Sequence, residues 1–389
     1  NKIEGNYDIL IENKKIVKID NSINTNSQQI IELNGELVLP GLIDIHTHLR
    51  EPGFEQKETI KSGCEAAAAG GFTTIACMPN TEPAVDNPAT IKYIKSTADK
   101  AVVNVIPIGS ITKRRKGKKL SELNLLKEAG VKAISDDGNP VMNSEVMRRA
   151  MEYADSYNLP VISHCEDLNL AGDGVINEGY YSNKLGLKPI PSAAEDVMIA
   201  RDILLAEFTG ASLHIAHLST KRGLELIRDA KKKGINVTVE VTPHHLILTD
   251  KAVKGYDPDT KVNPPLRSKE DRDALIEGLK EGAIDAIATD HAPHTLEDKL
   301  GKYSHAANGI SGLETALSLI HTNFIKEGLI DWADLIRFMN INPADILDIE
   351  NNGLKEGSNA DLIIFNPDKE WKVKSDKFKS KGKNTPFSG

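Results

Sequence analysis

From residue 42 onward the chain repeats one rhythm, a brief run of β-branched and other apolar residues followed by a longer stretch with apolar positions at helical spacing. Eight such runs occur, at 42–46, 72–77, 102–108, 131–135, 160–164, 212–217, 235–241 and 284–289. Short strands alternating with helices are the pattern of βα units on a parallel sheet, and eight units close a barrel. The spacing predicts helices over 58–69, 88–99, 143–157, 192–208, 221–233 and 268–281, with a capping box at Ser192-Ala193-Ala194-Glu195. Helical patterns at 311–325, 331–340 and 343–349 continue the outer layer.

The two ends depart from this rhythm. Residues 7–11 and 15–19 alternate as short strands around the turn Glu12-Asn13-Lys14, and Leu362-Ile363-Ile364-Phe365 and Trp371-Lys372-Val373-Lys374 read as β again. The expected fold is therefore α/β, a (β/α)8 TIM barrel over residues 42–349 with a small β-sandwich domain built from both termini, residues 1–41 and 350–389. No internal repeat beyond the βα rhythm is visible.

Composition narrows the function classes. With 40% hydrophobic and 27% charged residues the chain reads as soluble and globular, and no apolar run approaches the roughly 20 residues of a membrane span. The start, Asn1-Lys2-Ile3-Glu4-Gly5, lacks an apolar signal segment, which predicts a cytoplasmic location. Cys64, Cys77 and Cys165 are scattered without CxxC spacing, which argues against a disulfide framework or a thiolate metal site. A formal charge of −8 opposes a general affinity for nucleic acid. The basic run Lys113-Arg114-Arg115-Lys116-Gly117-Lys118-Lys119 has no interleaved aromatics and reads as a solvated loop.

Barrel chemistry sits at the carboxyl ends of the strands, so the residues following each run carry the functional signal. In Asp44-Ile45-His46-Thr47-His48, strand alternation puts Asp44, His46 and His48 on one face. Two histidines alone suit a buried hydrogen-bonded pair as well as a metal. Later ends add Asp136-Asp137, His164, His217, His244-His245 and Asp290-His291, which makes metal ligation the better reading. Imidazole and carboxylate without thiolate suit zinc, with cobalt or manganese as substitutes, and four histidines with two aspartates exceed what one tetrahedral ion uses. Six ligands suggest two ions, about 3.5–4 Å apart around a bridging hydroxide. Arg50, two positions beyond His48, keeps its strand parity, and Glu51 and Glu55 are its local salt-bridge partners. Alternation turns His214 and Cys165 away from the site.

Several motifs together carry a family resemblance. Pro-Gly-Leu-Ile-Asp-Ile-His-Thr-His at 40–48, Ser-His-Cys-Glu at 163–166, Ile-Ala-His-Leu-Ser-Thr at 215–220 and Ala-Thr-Asp-His-Ala-Pro-His at 288–294 resemble the amidohydrolase superfamily. Asp-Ile-His-Thr-His-Leu-Arg-Glu-Pro-Gly at 44–53, Met-Pro-Asn-Thr at 78–81, Ser-Asp-Asp-Gly at 135–138 and Val-Asn-Pro-Pro-Leu-Arg at 262–267 are similar to the type I dihydroorotases within it. The resemblance implies reversible cyclisation of N-carbamoyl-L-aspartate to L-dihydroorotate in pyrimidine synthesis, with zinc as cofactor, two ions per chain. It implies His46, His48 and Asp290 on the first ion, His164 and His217 on the second, and Asp137 in the bridging place that related enzymes give to a carboxylated lysine. Lys132 lies too early on its strand for that role. Asp290 would also be the catalytic acid and base, carrying a proton between the attacking hydroxide and the leaving nitrogen. Arg50, Asn80 and His294 would grip the substrate carboxylate, and Asn263 its ring.

The rival readings are another cyclic amidohydrolase (hydantoinase, dihydropyrimidinase or allantoinase) and a catalytically silent structural partner of aspartate transcarbamoylase. Asp137 in place of a lysine, with Arg50 and Asn80, speaks against the first, and the full ligand set against the second. A homo-oligomer and an association with the transcarbamoylase are both compatible with the resemblance. Family members usually continue beyond the point at which this sequence stops, with further strands of the small domain. Residues 295–304, polar and containing Gly301, are the expected lid.

Overall fold

A computed structural model describes residues 5–24, 29–350 and 353–389. Asn1 to Glu4, on which most of the signal-segment reading rests, lie outside the described residues. Eight parallel strands form where the sequence rhythm places them: β1 (Leu42–Thr47), β2 (Phe72–Cys77), β3 (Asn104–Pro107), β4 (Ile134–Ser135), β5 (Val161–Ser163), β6 (Leu213–Ile215), β7 (Val237–Val241) and β8 (Ala286–Ile287). Strands β1 to β3 make one sheet and β4 to β8 a second, each in sequence order. Parallel bridges Gly109↔Ile134 and Thr47↔His291 join the sheets at both edges.

The connecting helices begin where the chain offers acceptors to their free N–H groups. Thr59 and Ser62 form a capping box for Ile60–Ala69, Asn87 caps Pro88–Ala98, and Ser268 caps Lys269–Lys280. The capping box expected at Ser192 does not form. Ser192 is itself helical and makes no side-chain cap, because Glu195 turns to the backbone N–H of Ser219 at 2.8 Å and the Arg267 guanidinium at 3.1 Å. A buried carboxylate gains more from a charged donor than from an exposed helix end. The helices pack onto outward-facing strand residues, Ile75, Val161, Leu213, Ile215 and Val239 meeting Ile91, Leu126, Met147, Ile199, Leu224 and Leu275 in one buried apolar cluster.

The chain ends pair with one another. Asp8–Glu12 and Lys15–Asp20 form an antiparallel hairpin, and Leu37–Pro40 pairs antiparallel with Leu362–Phe365. The bridge Lys15↔Asn359 links the two pairs. Residues 371–374 form no strand, and Trp371 instead donates its indole N–H to Ser318. Beyond them, Ser380 and Asn384 leave the terminal strands and bond to the loops after β1 and β8. Among the described residues, no helix is long and apolar enough to cross a membrane.

Candidate metal centre

Strand β1 delivers two imidazoles side by side, and each has one nitrogen fixed by a neighbour. His46 Nδ1 lies 2.5 Å from Glu240 Oε1, and His48 Nδ1 lies 2.9 Å from Asn80 Oδ1. The opposite nitrogens face carboxylates: His46 Nε2 is 3.3 Å from Asp137 Oδ1, and His48 Nε2 is 3.0 Å from Asp290 Oδ1 and 3.6 Å from Asp137 Oδ2. From β5 and β6, His164 Nδ1 and His217 Nε2 come within 2.8 Å of each other, each 3.7 Å from Asp137 Oδ1.

Two potential ligand groups result, His46 with His48 and Asp137, and Asp137 with His164 and His217, with the ligand atoms of each group within 4.8 Å of one another. Asp137 belongs to both. His46 Nε2 and Asp137 Oδ1 are buried and have no hydrogen-bond partner, although they face each other. Converging lone pairs without donors are what a divalent cation satisfies, so the residues fit a metal. Asp290 adjoins the first group through His48.

Electrostatics favour the same reading. Burial would raise the Asp137 carboxyl, but the imidazoles of His46, His217 and His48 outweigh it and hold it well below the usual carboxylate range. Asp290 is lowered in the same way, mainly by the hydrogen bond to His48 acting against burial. Burial alone would lower His46, yet Glu240 and Asp137 raise it well above its ordinary value.

The backbone carries strain at three site residues. Arg50 (φ 63°), His217 (φ 33°) and Asp290 (φ 46°) occupy the left-handed region that side chains other than glycine seldom adopt. Such residues cluster where geometry serves function.

Asp136 points away from the site and accepts from the Thr112 N–H at 3.0 Å, while burial raises its carboxyl to about 6. Lys132 donates to the Asp348 carbonyl, far from the ligands. Of the four residues expected to meet the substrate, Asn80 touches His48, Asn263 lies by His164, and Arg50 and His294 meet each other. Arg50 Nη2 stands 3.2 Å from His294 Nε2, and its Nε donates to the Pro293 carbonyl. Glu51 and Glu55 are engaged elsewhere, with Ile60 N and Gly53 N. His294 is pushed down to about 3 by burial and by the charges of Arg50 and Lys57, so it is neutral. Its Nε2 lies 2.9 Å from the Asn308 carbonyl. Asn263 donates to Glu166 at 3.1 Å and lies 3.4 Å from His164 Nε2.

Some residues are placed differently from expectation. His214 does not pack among the helices. Its Nε2 is 3.1 Å from Glu240 Oε2, beneath the site, because the left-handed turn at His217 breaks the strand alternation between the two histidines. Glu240 itself was missed. As a lone acid in Val-Thr-Val-Glu-Val its signal was legible, since alternation sets it on the face of Thr238 and Thr242. Arg115, inside the basic run, turns inward and donates to the Asp137 carbonyl at 2.5 Å. His291 faces Glu58 across 3.4 Å, and His245 lies 3.0 Å from the Pro264 carbonyl. Cys165 lies against Ser163, and burial pushes its thiol well above the ordinary value, unlike a nucleophile. The expected lid is tethered: Lys299 Nζ donates to the carbonyls of Pro258 and Ala307, and Lys261 Nζ to those of Ser304 and Ala306.

Known proteins resemble the chain over nearly its whole length. A family model described as dihydro-orotase-like matches residues 35–223. The dihydroorotase of Thermoanaerobacter sp. (strain X514) is 56% identical over 387 residues, covering 99% of this chain and 90% of that protein. The dihydroorotase of Syntrophus aciditrophicus (strain SB) is 53% identical over 390 residues, covering 100% and 91%. Among solved structures, L-hydantoinase (dihydropyrimidinase) from Arthrobacter aurescens superposes with a TM-score of 0.88 at 26% identity, covering 98% of this chain and 88% of that one. Dihydropyrimidinase from Brevibacillus agri NCHU1002 gives 0.85 at 23% identity, covering 98% and 87%.

Proposed function

The chain belongs to the dihydroorotase family, and on that premise we propose that it interconverts N-carbamoyl-L-aspartate and L-dihydroorotate, a step of pyrimidine synthesis, with two zinc ions at the histidine groups. His46, His48 and Asp290 would hold the first ion, His164 and His217 the second, and Asp137 both. The observation that carries the substrate reading is the meeting of Arg50 and His294, 3.2 Å apart, next to these groups.

Bound there, the ions would supply the Lewis acidity that lowers the pKa of a water from about 15.7 to about 7 and polarises a carbonyl. The chain does the rest. Arg50, a cation even with burial lowering it to about 10, meets the substrate carboxylate, with Asn80 Nδ2 and His294 completing the grip. Asn263 bounds the ring beside His164. Asp290, ionised and 3.0 Å from His48, accepts the proton of the attacking water and returns it to the ring nitrogen as that nitrogen leaves. In the synthetic direction it removes the proton from the carbamoyl nitrogen. The hydantoinase reading is not favoured, because that chemistry does not call for a carboxylate grip.

We read the two sheets, joined at both edges, as one closed barrel over residues 42–349, with residues 1–41 and 350–389 forming the small β domain. To this reading belong a cytoplasmic location and an assembly, with a second copy or with aspartate transcarbamoylase, which size-exclusion chromatography with and without that enzyme would detect.

The test is the loss of ring-amide absorbance when zinc-loaded protein is given L-dihydroorotate, with Asp290→Ala and chelator-treated protein alongside. Turnover by the loaded wild type that both controls lose supports the reading. A metal-loaded wild type that leaves dihydroorotate intact rejects it.

A further inference from the structure

The last residues of the chain lie flush against the loop that leaves β8. Asn384, 4% exposed, uses every hydrogen-bonding position of its side chain. Its Nδ2 donates to the carbonyls of Ala292 (3.0 Å) and Gly309 (2.9 Å), and its Oδ1 accepts from the His294 N–H (3.0 Å) and the Ser311 hydroxyl (2.9 Å). Its own carbonyl accepts from Ser311 N at 2.8 Å. None of these partners is near it in sequence.

The approach is close along the whole segment. A side chain at Gly382 would put its Cβ 2.4 Å from Pro293 Cβ. Ser380 donates to Glu58, the carboxylate that also faces His291. Residues 380–384 therefore span residues 291–294, which run between Asp290 and His294.

Asn384 joins two backbones, residues 292–294 on one side and 309–311 on the other. The His294 ring reaches from the first backbone to the residue just before the second, its Nε2 2.9 Å from the Asn308 carbonyl and 3.2 Å from Arg50 Nη2. The spacing of these backbones decides where that ring meets the substrate. No bond runs from the Asn384 side chain to Asp290 or to any of the paired histidines.

We propose that Asn384 is a positioning residue for the substrate carboxylate, setting His294 from a strap supplied by the far end of the chain. This rests on the dihydroorotase reading. Removing the Asn384 side chain leaves two buried carbonyls and two donors unpaired, and the His294 loop relaxes to recover them. The loss falls on substrate binding, and proton transfer by Asp290 is spared.

The experiment is a double-mutant cycle with Asn384→Ala and His294→Ala, measuring KM and kcat for L-dihydroorotate and zinc content for each protein. Asn384→Ala should raise KM about tenfold, with kcat within about threefold of wild type and zinc unchanged. In the His294→Ala background it should add little. An unchanged KM, an effect that multiplies with that of His294→Ala, or a parallel fall in kcat and zinc would overturn the proposal. Should Asn384→Ala not fold, Asn384→Asp, which keeps the shape and removes both N–H donors, runs the same cycle. A wild type without dihydroorotate turnover defeats the underlying reading, whereas an active wild type with an unresponsive Asn384→Ala defeats the strap alone.

Discussion

His48 Nδ1 and Asn80 Oδ1 lie 2.9 Å apart, and this contact links the candidate metal centre to the proposed substrate side. With the amide oxygen accepting, the His48 proton sits on Nδ1 and the Nε2 lone pair faces Asp290 and Asp137. On the proposed function, Asn80 Nδ2 is left for the substrate carboxylate. Replacing Asn80 by Asp should therefore keep the metal and weaken substrate binding, through loss of a donor and charge repulsion. Asn80→Ala should lose both, with metal affinity falling about 10- to 100-fold. Zinc competition titrations beside KM measurements separate the two variants.

Glu240 performs a related task for His46 and also holds His214. Burial works against its charge, but His46 and His214 keep its carboxyl down at about 2. Glu240→Gln should lower zinc affinity, because a neutral amide orients the His46 ring with less force. Glu240→Ala should in addition leave one nitrogen of each of two buried imidazoles, His46 Nδ1 and His214 Nε2, unpartnered and cost about 1–3 kcal/mol of stability. Metal analysis and urea unfolding of the metal-free protein check both.

His294 predicts a pH dependence with a definite sign. Its folded value is about 3, against 6.5 ordinarily, with burial the largest cause, followed by Arg50 and Lys57. Between those values the unfolded chain binds a proton that the folded chain does not, so stability rises with pH across the window. The contribution is complete above 6.5 and lost as pH falls toward 3. Denaturant midpoints of metal-free protein should therefore fall less steeply from pH 6.5 downward in His294→Asn than in wild type. An equal slope in the two proteins would contradict the assignment.

Much of the βα framework was legible because burial on both strand faces forces apolar runs, and those runs are visible in the sequence. The His-x-His spacing and the polar residues at the strand ends were equally plain, and the structure brings His46, His48, Asp137, His164, His217 and Asp290 together. What escaped depends on local departures from regularity or on distant partners. His214 was misplaced because alternation fails at the left-handed His217. Ser192 lost its capping box to a Glu195 that found Ser219 and Arg267 across the fold. Asn384 reads as an ordinary polar residue near a chain end, and nothing close to it in sequence announces the loop it fills.

That strap gives the site an order of completion. Every side chain of the two histidine groups precedes Asp290, whereas the contacts from Ser380 to Glu58 and from Asn384 to His294 span 322 and 90 residues. A nascent chain on the ribosome thus presents these candidate ligands well before Asn384 has left the exit tunnel. A chain cut just short of Asn384 would carry the whole candidate ligand set and lack the contacts that tie residues 292–294 to residues 309–311.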